Sequence, residues 1–143
     1  MNMETEIKKL LPHRFPFLFL DEIITANEKE IIGRKVFDKS NDKMLIGSFP
    51  EFNFIPGMIL VESMAQCGGA GVNKAGLASG FFALVSMENV KFLKGVTYDE
   101  EIKYIIKNIR VSNRLIKQSG VAYNAKNEPI AEATWMCARI ESE

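Results

Sequence analysis

The chain of 143 residues has the size of one domain, and hydrophobic residues make up 47% of it, which is enough for a core. Its 18 basic and 18 acidic side chains cancel, so the chain has no long-range field that attracts nucleic acid or an anionic membrane surface. We therefore expect a single domain over residues 1–143 that binds neither nucleic acid nor membranes.

Two further features of the composition bear on location and on metals. The N-terminal sequence MNMETEIKKLLPHR is charged, and no run in the chain approaches the roughly 18 apolar residues of a membrane span. We expect a cytoplasmic protein. Cys67 and Cys137 form no CxxC pair, and His13 is the only histidine, so we expect reduced, buried thiols and no metal site.

The first predicted elements are a helix, an extended stretch and a strand. The helix covers 3–11 and ends before Pro12, because the residue before a proline is pushed out of the helical region. The run FPFLFL at 15–20 begins an extended stretch. Residues 30–37 are partly β-branched and aromatic, which predicts a strand.

The next predicted element is the longest helix of the chain. It covers 58–75, and Pro56 and Gly57 mark its start. Its residues are apolar on nearly every side. A helix of this kind is normally buried all round, so we expect it at the centre of the domain.

Four segments of strand length follow the long helix, with no helix between them. Turn-forming residues separate these segments, which cover 81–93, 100–111, 114–125 and 130–141. Parallel strands would need crossovers of a dozen or more residues, so we predict an antiparallel meander. A buried helix wrapped by one antiparallel sheet is an α+β arrangement.

The last predicted strand is apolar on both faces. Residues of one face alternate with those of the other: Ile130, Met136, Ala138 and Ile140 against Ala131, Ala133, Trp135 and Cys137. The helix covers one face only. A partner subunit would cover the second, so we expect an oligomer.

Glu62 is a single carboxylate within the apolar helix. Removing a carboxylate from water costs several kcal/mol unless it is paired or protonated, so such a residue is retained for a reason. One reason is catalysis. The alternatives are an ion pair at a subunit boundary and partial solvation through a crevice.

The loop before the helix adds a second chemical feature. A Pro-Gly helix start leaves the first backbone N–H groups free to bind a carbonyl oxygen or an anion. With Glu62 one turn further on and Phe49, Phe52 and Phe54 beside it, the site would suit an acyl thioester, whose carbonyl the N–H groups polarise while the acid moves a proton. The alternative for the phenylalanines is ordinary core packing.

Three blocks of the sequence resemble the β-hydroxyacyl-acyl carrier protein dehydratases of bacterial fatty-acid synthesis. They are LPHRFPFLFLDEI, GSFPEFNFIPGMILVESMAQCGG at 47–69 and ENVKFLKGV at 88–96, in the order and spacing of the family. The resemblance implies the hot-dog fold, in which a curved antiparallel sheet wraps a long helix. It also implies a homodimer or a trimer of dimers that acts on acyl carrier protein substrates.

The resemblance implies roles for individual residues. In the family, a loop histidine of one subunit and a helix acid of the other flank the substrate, and a backbone N–H at the helix start binds the thioester oxygen. The acid matches Glu62 and the N–H donor matches Gly57. The residues expected to contact substrate are His13, Phe49, Phe54, Pro56, Gln66 and Phe92. No cofactor is expected beyond the phosphopantetheine of acyl carrier protein, or coenzyme A, that carries the substrate.

The position of the family histidine, fourteen residues before Glu62, is occupied by Ser48. An imidazole has a pKa near 6.5 and can move protons at neutral pH, whereas a serine hydroxyl is no base without help. His13 belongs to the LPHR block, where the resemblance gives it a structural or acyl-lining role. Glu51 is a second candidate to replace the family histidine. The favoured alternative is that Glu51 is an ordinary solvated loop carboxylate.

Three functions remain open from the sequence. The first is a dehydratase in which Glu62 carries most of the proton transfer and Ser48 or a bound water completes the site. The second is a half-site subunit that pairs with a histidine-containing homologue as a heterodimer. The third is a hot-dog thioesterase in which Glu62 activates water or attacks directly and Gly57 stabilises the oxyanion. In each, Phe81, Phe82 and Phe92 are candidates for lining an acyl tunnel, with core packing as the alternative.

Overall fold

The computed structural model describes residues 2–141. Within them it contains three helices and six strands. In chain order these are α1 (Met3–Leu10), β1 (Glu22–Ala26), β2 (Glu30–Val36), α2 (Lys43–Ile46), α3 (Gly57–Lys74), β3 (Phe82–Phe92), β4 (Glu101–Val111), β5 (Leu115–Tyr123) and β6 (Pro129–Arg139). The strands form one antiparallel sheet in the order β1-β2-β4-β5-β6-β3.

The long helix α3 lies at the centre of this arrangement and contacts all six strands. It begins directly after Pro56, whose fixed backbone angle suits a helix start, and most of its residues are buried. Gly68 lets the sheet approach closely, because a Cβ at that position would collide with the amide of Gln118 on β5. The prediction of an α+β fold with a sheet wrapped around a buried helix is confirmed.

The predicted meander is correct for three of its four strands. Strands β4, β5 and β6 pair in sequence, but β3 pairs with β6 and lies at the far edge of the sheet. A meander would pair β3 with β4. That edge of β4 is occupied by β2, which precedes α3 in the chain. The segment between β3 and β4 returns past the helix start, where the Ile55 N–H donates to the carbonyl oxygen of Val96 at 2.9 Å.

The FPFLFL segment at 15–20, predicted to begin an extended stretch, forms no strand. Strand β1, which begins at Glu22, was not predicted. The backbone groups of the FPFLFL segment bind side chains of α3 instead of a neighbouring strand. The Phe19 N–H donates to Gln66 Oε1 at 2.7 Å, and the Phe19 carbonyl oxygen accepts from Ser63 Oγ at 2.5 Å. Tyr104 in turn donates its hydroxyl to Ser63, so the segment is tied to both the helix and the sheet.

The two faces of β6 differ in burial. Ala131, Ala133, Trp135 and Cys137 are buried towards the helix. On the other face Ile130 is buried, Met136 and Ala138 are half-buried and Ile140 is exposed. No helix within residues 2–141 has both the length and the apolar character needed to cross a membrane.

Candidate active site

Gln66 connects the segment after α1 to the catalytic-acid candidate on α3. Its side chain is 2% exposed, and its amide makes three hydrogen bonds. Oε1 accepts from the Phe19 N–H, while Nε2 donates to the Phe17 carbonyl oxygen at 3.1 Å and to Glu62 Oε1 at 3.1 Å. Gln66 therefore fixes the orientation of the Glu62 carboxylate relative to the segment that carries His13.

His13 lies opposite Glu62 within the same chain. Its Nε2 atom is 3.6 Å from Glu62 Oε1, and the two side chains are 24% and 21% exposed. Both line a cavity of about 170 Å³, and Gln66 lines it as well. The resemblance gave His13 a structural or lining role; the structure places it against the proposed catalytic acid.

Burial sets the protonation state of the groups in this cavity. Burial is the main reason that the pKa of His13 lies below its ordinary value; the Glu62 carboxylate opposes this shift and Arg14 adds to it. Burial, and secondarily Glu62, raise the pKa of the Cys137 thiol to about 12. Cys67 and Cys137 are both buried free thiols, as predicted.

Apolar side chains also line this cavity, among them Phe81, Phe82, Leu84 and Ile140. The acyl-lining role predicted for Phe81 and Phe82 stays a prediction. Phe92, which was expected to line the same tunnel, lies elsewhere.

The helix start forms a second group of predicted site residues. Phe54, Gly57 and Phe92 line a separate cavity of about 390 Å³. A Cβ on Gly57 would lie 2.7 Å from the Phe92 ring, so glycine permits this contact. Among residues 2–141, the Gly57 N–H has no hydrogen-bond acceptor, and the cap residue Pro56 offers no side-chain oxygen.

The loop between α2 and α3 carries the position of the family histidine and is exposed. Ser48, Phe49, Glu51 and Phe52 are all solvent-exposed, and none of them lines the cavity that contains Glu62. The Phe49 and Phe54 rings pack with their centroids 4.9 Å apart, which links the loop to the Gly57 cavity. Within one chain, Ser48 and Glu62 are not brought together.

The two groups lie on different sides of α3. Gly57 and Glu62 are five residues apart, which turns their directions by roughly 140° around an α-helix. In a single chain Gly57 and Glu62 therefore line different cavities. Within residues 2–141, no three His, Cys, Asp or Glu side chains are grouped so that they could hold a metal ion.

The family relationship follows from a model of the FabA-like domain, which matches residues 11–133. The chain belongs to the FabA-like family. Among curated FabA-like relatives, a protein of Solibacter usitatus named 3-hydroxyacyl-[acyl-carrier-protein] dehydratase FabZ is 34% identical over 96% of this chain and 85% of its own length. A protein of the same name from Fusobacterium nucleatum is 35% identical over 91% of this chain and 92% of its own length.

Solved structures show how the FabA-like chain folds. The dehydratase heterocomplex ApeI:P from Xenorhabdus doucetiae matches with a TM-score of 0.78 and 14% identity, covering 95% of this chain and 91% of that one. A hypothetical thioesterase from Streptococcus pneumoniae bound to coenzyme A matches with a TM-score of 0.66 and 11% identity over 99% and 96%. At this identity the likeness shows the fold alone, which is the hot-dog fold.

Proposed function

We propose that this chain is a dehydratase that converts a 3-hydroxyacyl thioester of acyl carrier protein to the 2-enoyl thioester and water. The observation that supports this function best is the identity of about one third to proteins named as such dehydratases over nearly the whole chain. The cavity agrees with it in chemistry, because Glu62 and apolar side chains that could contact an acyl chain line the same cavity. The charged, span-free sequence is the reason to propose a cytoplasmic location.

The reaction needs a proton removed from C2 and a hydroxyl released from C3. We assign the proton transfer to Glu62, whose Oε1 is held by Gln66. The free N–H of Gly57 would polarise the thioester carbonyl and stabilise the negative charge that develops on its oxygen. The role predicted for Ser48 stays a prediction.

A second copy of the chain would bring the Gly57 group and the Glu62 group together. Strand β3 is one of the two edge strands of the sheet, and it carries exposed apolar side chains, among them Val85, Met87 and Phe92. Met58, beside Gly57 on the first turn of α3, is 72% exposed. We propose that these residues are buried in a homodimer joined through β3, and that each active site takes residues from both copies.

The proposal is tested by incubating the purified chain with 3-hydroxyacyl-acyl carrier protein and identifying the product by mass spectrometry. We expect loss of one water from the acyl group, with the thioester intact. Free carrier thiol and a free acid would instead show a thioesterase. The same assay with 3-hydroxyacyl coenzyme A identifies the carrier, and sedimentation measures the oligomeric state.

A second candidate function is a half-site subunit, and the serine at position 48 favours it. In a heterodimer, a homologue with the loop histidine would supply that residue opposite Glu62 of this chain. The prediction is an absence of turnover by the purified chain and a gain of turnover when a histidine-containing homologue is added. Turnover by the chain alone would contradict it.

A further inference from the structure

His13 is the one imidazole of the chain, and it lies in the active-site cavity although the loop position lacks a histidine. Its Nε2 atom is 3.6 Å from Glu62 Oε1, which is too long for a direct hydrogen bond. An oxygen atom placed between the two groups can bridge a separation of this kind. A substrate hydroxyl that enters the cavity can take that place.

The two ring nitrogens of His13 have different surroundings. Nδ1 is buried and has no hydrogen-bond partner among residues 2–141, whereas Nε2 faces Glu62. With the proton on Nδ1, the ring would bury an N–H without an acceptor and turn the Nε2 lone pair towards a carboxylate. With the proton on Nε2, the N–H points towards Glu62 and only the Nδ1 lone pair is unpaired, so the Glu62 carboxylate favours the Nε2–H tautomer. The doubly protonated ring again buries an N–H at Nδ1 without an acceptor.

Burial favours the neutral form of His13 against the pull of the Glu62 carboxylate. Glu62 on α3 favours protonation, while burial and the Arg14 guanidinium on the same segment oppose it, with the pKa lowered overall. Cys137 on β6, the other titratable group that lines the cavity, remains a neutral thiol. His13 therefore presents an uncharged N–H donor to the cavity at neutral pH.

We propose that the neutral His13 ring donates its Nε2–H to the C3 hydroxyl of the substrate and holds that hydroxyl against Glu62, in place of the missing loop imidazole. This inference rests on the proposed dehydratase function. This role of His13 differs from that of a histidine base, because the ring keeps the same protonation state throughout the reaction.

In the proposed dehydration, Glu62 is the only group of the protein that gains and loses a proton. The Glu62 carboxylate takes the C2 proton, and the electrons of the C2–H bond pass to the thioester oxygen, which the Gly57 N–H of the second copy in the proposed homodimer holds. When these electrons return to form the C2–C3 double bond, the C3–O bond breaks. The hydroxyl leaves with the proton that Glu62 returns, as one water molecule.

Two substitutions at His13 separate a donor from a base. His13→Gln keeps an N–H donor of similar reach and cannot titrate near neutrality, whereas His13→Phe removes the donor and keeps a ring. We expect the dehydration kcat to fall about 100-fold in His13→Phe, as when a donor to the reacting group is removed, and to stay within about tenfold of the unsubstituted chain in His13→Gln. Equal losses in both variants, or none in either, would overturn the inference, with urea unfolding showing that both variants are folded.

A second measurement does not depend on turnover. Since the chain has one histidine, its two ring nitrogens can be assigned without ambiguity in the ¹⁵N NMR spectrum of the labelled protein. We expect the Nε2–H tautomer at neutral pH; the Nδ1–H tautomer would overturn the inference even in an active protein. If the unsubstituted chain shows no dehydration at all, the proposed function is wrong. That result is distinct from the variant result and the tautomer result that would overturn the role of His13.

Discussion

The loop over 47–56 and the cavity that α3 shares with residues 10–13 and with β3 differ in how well their side chains are fixed. In the loop, Ser48 is exposed and Phe49 retains 49% of its accessible surface. In the cavity, Gln66 is hydrogen-bonded to two backbone groups and to Glu62, and His13 lies opposite the acid. Family resemblance directs attention to the loop, whereas the fixed polar groups of this chain lie in the cavity.

Burial explains the difference. A side chain held by several hydrogen bonds in a buried site has one orientation, which proton transfer requires, while an exposed loop side chain samples several. In the proposed homodimer, a second copy of the chain would cover the loop and fix its side chains. On this proposal, proton transfer belongs to the cavity of one chain, and the second copy supplies the N–H donor to the thioester oxygen.

The largest expected effect comes from Glu62→Gln. This change preserves the shape and the Gln66 contact but removes the group that moves the proton, so kcat should fall about 1,000-fold. The rate of 2-enoyl thioester formation measures it. Glu22→Gln is the matched control, because Glu22 is similarly exposed and pairs with Arg34 outside the cavity, and it should leave kcat unchanged.

Gln66→Leu should lower both stability and activity. It leaves the Phe19 N–H and the Phe17 carbonyl oxygen unpaired, which we expect to reduce the free energy of unfolding by about 2 to 4 kcal/mol in urea titrations. Gln118→Leu is the control, since Gln118 is also buried but bonds Gly68, Asn108 and Trp135 instead. An equal loss of kcat in both variants would show that Gln66 acts through stability alone.

The pH dependence of stability should report the burial of His13. Its pKa in the folded chain lies below the ordinary value of 6.5, so the unfolded chain binds the proton first as the pH falls. The free energy of unfolding therefore decreases as the pH drops from 6.5 towards the lowered pKa, and it recovers when the pH is raised back to 6.5. His13→Gln should flatten this part of the profile, and an unchanged slope would contradict the burial of the ring.

The sequence was sufficient to predict the fold class, the central helix and most strands, because hydrophobic pattern and turn residues are local signals. The place of β3 was not predictable, since it depends on β2 taking the edge of β4. The contact between His13 and Glu62 joins residues far apart in the chain, and no local pattern indicates it. Gln66 was predicted to contact substrate, and its hydrogen bonds to Phe17, Phe19 and Glu62 were not predicted, because the two phenylalanines lie far from it in the chain.

The most direct test of the division between loop and cavity is the dehydration rate of Ser48→Ala, measured beside that of the unsubstituted chain under the same conditions. We predict a kcat within about threefold of the unsubstituted value, because the serine hydroxyl moves no proton in the proposed reaction. A fall of about 100-fold, the scale of a lost catalytic group, would place the chemistry on the loop and contradict the assignment to His13 and Glu62.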